Sequence, residues 1–221
     1  MIVIKNNMRL AILKRKIFNF LPDIALEPYK LLRLYYWHLK KDCSLPAPHF
    51  VKQAVLLRNS IKNSTWIETG TYLGDTTYFL SKNFPKVHTI EPSIYYRNIA
   101  KSLIKKKDNI IFHEGTSEEC FESICLKLSG NVSFWLDGHF SGGNTYKNSS
   151  LTPIKFELEI IKKYIKKFNN ICVLIDDVRC SFVDEGYPSL NYYVEWANSL
   201  NLKWIIEHDI FIAKSDSLKN Y

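Results

Sequence analysis

From residue 49 onward the apolar positions alternate between two rhythms. Short β-branched and aromatic runs predict strands at 65–69, 87–91, 110–113, 132–136, 171–175, 203–206 and 210–213. Stretches with apolar residues every three to four positions lie between them and predict helices. Phe50, Val51, Ala54, Val55, Leu57 and Ile61 make one such face, and Tyr95, Ile99 and Leu103 make another behind a capping Ser93. Ser117 is expected to open a helix with Phe121, Ile124, Cys125 and Leu128 inward and Gly130 at its stop. Thr152 and Pro153 begin a helix carrying Ile154, Leu158, Ile161, Ile165 and Phe168, and a further helix is expected at 191–199. Alternation of this kind builds an α/β, doubly wound parallel sheet. The last two strands are so close that they pair as a hairpin, which makes the final strand antiparallel. The prolines of Leu45-Pro46-Ala47-Pro48 divide the chain into an N-terminal helical extension, 1–48, and one domain, 49–221.

The first strand leads into Thr65-Trp-Ile-Glu-Thr-Gly-Thr-Tyr-Leu-Gly-Asp-Thr-Thr77, where an apolar run ends in an acid and a glycine turn and then becomes helical. Gly70 suits the sharp turn off a parallel strand, and Gly74 suits a close approach of the next helix to the strand or to a ligand. The helix N-terminus would favour the anionic part of a small molecule. A nicotinamide fingerprint beginning at Gly70 requires glycine at 72 and near 75, where this chain has Tyr72 and Asp75.

Glu-x-Gly-x-x-x-Gly in this corner resembles motif I of class I S-adenosylmethionine-dependent methyltransferases, and the resemblance runs from about Thr65 to the C-terminus. It implies a Rossmann-like seven-stranded sheet and a corner in which Glu68, Gly70, Thr71, Tyr72, Gly74, Thr76 and Thr77 surround S-adenosyl-L-methionine. Glu91, followed by Pro92, closes the second strand 21 positions after Gly70, where such an acid accepts hydrogen bonds from ribose hydroxyls. Gly115, Thr116 and Ser117 fall where the family's adenine-contacting loop lies, and Asp137 ends the fourth strand beside it.

Composition narrows the picture. The chain has 221 residues, 46% hydrophobic and 24% charged, enough for one well-buried domain with a modest extension. Five cysteines without Cys-x-x-Cys spacing argue against a disulfide framework or a zinc site. Basic residues interrupt the N-terminal apolar stretch, so neither a signal peptide nor a spanning helix is expected, and a cytoplasmic address follows. The net charge of +8 resides partly in Lys101–Lys107 and Lys162–Lys167, where lysines alternate with Ile, Leu and Tyr as on a solvated helix face. With no nucleic-acid motif, nucleic acid is excluded as a partner. The basic and aromatic stretches 8–20 and 29–41 leave peripheral membrane contact or a second subunit as partners of the extension.

The remaining signal is acidic. Asp137 ends the fourth strand and Asp176 with Asp177 end the fifth, so three carboxylates meet at one sheet edge. Like charges there raise a pKa or hold a cation, and oxygen ligands without cysteine suit Mg²⁺ or Ca²⁺. Leu-Asp-Gly-His and Ile-Asp-Asp-Val resemble the strand ends of divalent-metal-dependent O-methyltransferases of the catechol, caffeoyl-coenzyme A and macrolide-sugar type. That resemblance implies a metal at Asp137, Asp176 and Asp177, with His139 and Asp137 as catalytic residues. The stretch Asp-Gly-His-Phe-Ser-Gly-Gly resembles glycan-modifying methyltransferases and implies a sugar or other small polyhydroxylated acceptor. Two alternatives stay open: a metal-independent enzyme using His139 or Asp137, and a non-catalytic binding subunit on the same fold.

Overall fold

A computed structural model describes residues 12–13, 23–39, 46–104, 107–138, 152–183 and 186–216. Helices α1 (Asp23–Leu39) and α2 (His49–Asn59) precede β1 (Thr65–Thr69). Then follow α3 (Asp75–Asn83), β2 (Lys86–Glu91), α4 (Ile94–Leu103), β3 (Ile110–Glu114), α5 (Ser117–Lys127) and β4 (Gly130–Leu136). After these come α6 (Ile154–Tyr164), a 3₁₀ turn (Ile165–Lys167), β5 (Phe168–Ile175), α7 (Cys180–Val183), α8 (Leu190–Ser199), β6 (Lys203–Glu207) and β7 (Ile210–Lys214).

The seven strands described form one sheet in the order β3-β2-β1-β4-β5-β7-β6. β7 is antiparallel to both β5 and β6, and the other pairings are parallel. Winding reverses between β1 and β4, which opens a crevice at the carboxyl ends of those strands.

β1, β2, β4, β5 and β7 alternate their side chains between two apolar layers. Trp66, Val87, Trp135, Cys172, Leu174, Ile210 and Ile212 face Val55 and Leu56 of α2 and Leu80 of α3. Ile67, Ile90, Phe134, Leu136, Val173, Ile175 and Phe211 face Phe121 and Ile124 of α5, Leu158 and Ile161 of α6, and Tyr193 and Trp196 of α8. Burial on both faces explains why these strands read as nearly continuous apolar runs.

Several helix boundaries differ from expectation. α6 ends at Tyr164, and Phe168, expected on its apolar face, opens β5 behind the 3₁₀ turn. Thr116, not Ser117, caps α5: its side chain accepts from the Glu119 N–H, and its own N–H donates to the Glu119 carboxylate at 2.8 Å. The spacing Thr-x-x-Glu completes a capping box, which a cap at Ser117 would lack. Gly130 begins β4 with φ 79° instead of stopping α5, which ends at Lys127.

Candidate cofactor corner and metal centre

At the end of β1 the chain turns through Gly70 (φ 85°) and Tyr72 (φ 47°) into α3, whose cap is Gly74 (φ 75°). The corner is tied to β2. Gly70 and Thr71 donate to the Ile90 carbonyl at 3.1 and 3.3 Å, and the Thr71 and Thr89 hydroxyls lie 2.5 Å apart. The Tyr72 and Ser93 N–H groups donate to the two carboxylate oxygens of Glu91 at 2.8 and 3.0 Å. Glu91 is buried, and burial raises its carboxyl against the pull of those two bonds. It therefore stands at the β2 edge with both oxygens oriented and further lone pairs left to accept.

Glu68 lies beneath the turn, fully buried, accepting from the hydroxyls of Thr77 and, at 2.7 Å, Thr89. Burial pushes its carboxyl up to about 8, the two hydroxyls acting in the opposite sense. Thr76 sits in the first turn of α3 beside Thr77, and Pro92 joins Glu91 to the capping Ser93. The Gly74 N–H donates back to Thr71 at 2.7 Å, so the amides of 70, 71, 72 and 74 are all used inside the corner. A ligand's anionic part is left with first-turn amides of α3 such as those of Thr76 and Thr77, which the helix ladder does not use.

The two glycines have their space filled by protein. A Cβ on Gly74 would meet Ile104 Cδ1 at 2.7 Å and Ala100 Cβ at 3.1 Å, so its bareness lets α3 approach α4. A Cβ on Gly70 would lie 2.6 Å from the Asp137 carbonyl oxygen, just past the end of β4. Gly70 is thus the contact that fixes the β1 corner against the end of β4.

After β3, Gly115 (φ 133°) and Thr116 lead into α5. Ser117 turns inward, and its hydroxyl donates to Glu157 of α6 at 2.6 Å. Glu157 is fully buried, and burial pushes its carboxyl up to about 8 with the Ser117 bond opposing. Its position three residues after Ile154 and four before Ile161 places it on the apolar face of α6, a signal the sequence reading passed over.

Across the crevice the β1–β4–β5 ladder continues past the strands: Asp137 donates to the Thr69 carbonyl and Asp176 to the Leu136 carbonyl. Asp137, Asp176 and Asp177 each offer a carboxylate oxygen, all within 4.8 Å of one another. Asp177 has φ 54°, a left-handed conformation uncommon for a residue with a side chain. Its carboxylate accepts from Arg179 at 2.7 Å, and Arg179 also pairs with Asp209.

Sequence reasoning missed Lys52. From the first turn of α2 its ammonium group reaches Asp176, in a short contact, and Asp177 at 3.3 Å. Burial works against the lysine's charge, but Asp176, Asp137 and Asp177 outweigh it and hold the ammonium above the ordinary lysine range. Burial and the charge of Asp137 raise the Asp176 carboxyl well above its usual range, Lys52 opposing. Asp176 Oδ1 is buried and, among the described residues, has no hydrogen-bond partner. A buried oxygen without a partner among these residues and three convergent carboxylates fit a hard divalent cation. His139 lies outside the described residues.

No protein-family model matches the sequence, and no curated protein does. Solved structures do match. An O-methyltransferase from Bacillus cereus in complex with SAH superposes with a TM-score of 0.54 at 15% identity, over 88% of this chain and 91% of that one. A putative rRNA-methylase from Clostridium thermocellum gives 0.50 at 11% identity, over 77% and 97%.

The chain has the class I methyltransferase fold.

In open α/β sheets ligands bind in the crevice where the strand order reverses, which here lies between β1 and β4, at the same carboxyl edge as the corner, Glu91 and the acid cluster. The comparisons also correct one expectation. A protein described as a putative rRNA methylase shares the fold, so the lack of a nucleic-acid motif here does not exclude nucleic acid, and the matches give no support to a glycan acceptor. The basic stretch 8–20 lies largely outside the described residues. Among the described residues no helix is long and apolar enough to cross a membrane.

Proposed function

We propose that this protein is an S-adenosyl-L-methionine-dependent methyltransferase that transfers the methyl group to an oxygen acceptor beside a divalent-metal site formed by Asp137, Asp176 and Asp177. The observation that carries this reading is the placement of three convergent carboxylates, one with a buried oxygen that lacks a partner among the described residues, beside the Glu68–Gly74 corner.

The chain's own groups divide the work. Glu91 accepts from the ribose hydroxyls, held in place by the Tyr72 and Ser93 amides. Glu68, through Thr77 and Thr89, keeps α3 and β2 in register beneath the cofactor. Gly115, Thr116 and Ser117 border the adenine side. Asp137, Asp176 and Asp177 would hold Mg²⁺ or Ca²⁺ by oxygen ligands, and a bound divalent ion supplies the charge that lowers the pKa of an acceptor hydroxyl. His139, two residues after Asp137, takes the hydroxyl proton as general base.

A methyl-transfer assay with Mg²⁺ or with chelator tests this, using an acceptor panel that includes RNA oligonucleotides as well as small hydroxylated molecules. Turnover that stops in chelator while SAH binding persists supports the reading. Full activity in chelator favours a metal-independent reaction, a second reading to which the Lys52 ammonium among the acids lends support. SAH binding without transfer to any acceptor favours a binding subunit.

A further inference from the structure

Lys52 occupies space that the three-carboxylate cluster would otherwise offer to an ion. Its Nζ pairs with Asp176 Oδ2 and stands 3.3 Å from Asp177 Oδ1. One carboxylate oxygen each of Asp137, Asp176 and Asp177 lies within 4.8 Å of the others, so an ion held by Asp176 and Asp177 would stand close to the ammonium that pairs with both. Two cations cannot share such a position without strong repulsion. Asp176 Oδ1, meanwhile, is buried without a hydrogen-bond partner among the described residues, so Lys52 satisfies only part of the cluster.

We infer that Lys52 is a built-in counter-ion that competes with the divalent cation for Asp176 and Asp177, and that metal loading displaces its side chain from the cluster. This rests on the metal reading proposed above. Lys52 is suited to the part because it is carried by α2, a helix outside the corner and the strand ends. Its four-carbon stem swings without moving any of the three acids, and 13% of the side chain remains exposed as a way out. Without metal it keeps three neighbouring carboxylates from repelling one another, and with metal it is surplus. The arrangement makes Lys52 the residue that sets apparent metal affinity, although it is not itself a ligand.

The test measures binding of Mg²⁺ alone, and separately Ca²⁺ alone, by calorimetry on the full chain and on Lys52→Met and Lys52→Arg. The methionine keeps the stem and removes the charge, so it should bind metal roughly 10- to 100-fold more tightly, the scale of a lost hydrogen-bonded charge pair. Lys52→Arg keeps the charge and should bind no more tightly than the parent. A second measurement uses the unaltered protein, where folding of a variant is not at issue. Amine-selective labelling followed by mass spectrometry should find Lys52 protected in chelator and several-fold more reactive in saturating Mg²⁺. Equal or weaker metal binding by a folded Lys52→Met, or Lys52 labelling unchanged by metal that calorimetry shows to be bound, overturns the competition and leaves the metal site standing. No binding by either parent or Lys52→Met overturns both.

Discussion

Replacing Gly70 by alanine tests whether the β1 corner and the end of β4 are held against each other by backbone contact. The added Cβ would lie 2.6 Å from the Asp137 carbonyl oxygen, 3.0 Å from its carbon and 3.3 Å from the Gly138 nitrogen. A relaxed carbon-to-oxygen contact is about 3.3 Å, so the two segments must part by about 0.7 Å. Both are backbone at strand ends, and neither can give by turning a side chain. The left-handed φ of 85° costs an alanine about 1–2 kcal/mol, and forcing the extra atom into the contact adds about 1–3 kcal/mol. The stiffer unfolded chain returns about 0.4–1 kcal/mol. A net loss of about 2–4 kcal/mol is expected. Gly130→Ala is the matched control, because Gly130 has a similar φ of 79° but nothing within 4 Å of its added Cβ. It should cost only about 1 kcal/mol. Urea unfolding of both variants, compared at constant slope, gives the difference directly. Because the displaced carbonyl belongs to Asp137, Gly70→Ala should also weaken Mg²⁺ binding, whereas Gly130→Ala should not. Equal stability losses in the two variants would refute the contact argument.

Glu157→Gln should stabilise the protein most at high pH. The folded carboxyl sits near 8 against an ordinary 4.5, so its penalty is absent below about pH 4.5, grows as pH rises, and levels off above about pH 8. Unfolding curves at pH 5 and pH 7 should show a gain several-fold larger at the higher pH, with an upper bound of about 3 kcal/mol near pH 7; a gain independent of pH contradicts the burial argument. Glu91→Ala should weaken SAH binding by roughly 1–3 kcal/mol, the scale of hydrogen bonds to a charged group, and calorimetry with unchanged affinity would remove Glu91 from the ribose site. His139→Ala should lower kcat by about 10² to 10⁴ with little change in SAH or Mg²⁺ affinity, and a parental kcat with the same pH profile from 6 to 9 would exclude it as the base.

The strands and the antiparallel terminal hairpin were legible because burial on both sheet faces writes an unbroken apolar run such as Ile171–Ile175, and the hairpin at 203–213 leaves no room for a crossover helix. The meeting of Asp137 with Asp176 and Asp177 was legible for a related reason, since strand ends in a parallel sheet share an edge. Contacts between distant segments were not. Gly70 reads locally as a turn, and only the adjacency of β1 and β4 shows that its bareness accommodates the Asp137 carbonyl. Gly74 likewise serves the packing of α3 on α4, 26 to 30 residues along the chain at Ala100 and Ile104. Lys52 was invisible because a lysine on an amphipathic helix reads as a solvated face, and its partners lie 124 and 125 positions away. Ser117 was assigned the cap that Thr116 takes, although Thr116-x-x-Glu119 carried the capping-box spacing and was the better local signal.

The central claim is that a cofactor site and a divalent-metal site face each other across the β1–β4 crevice. Calorimetric titration with S-adenosylhomocysteine, run in chelator and then in saturating Mg²⁺ on the parent and on Asp176→Asn, tests it most directly. The account predicts saturable SAH binding by both proteins in both conditions. It predicts a separate Mg²⁺ isotherm in the parent that is weakened at least several-fold in Asp176→Asn, which keeps the volume of the side chain and removes its charge. No SAH binding by the folded parent, or an Mg²⁺ isotherm indifferent to Asp176→Asn, would contradict it.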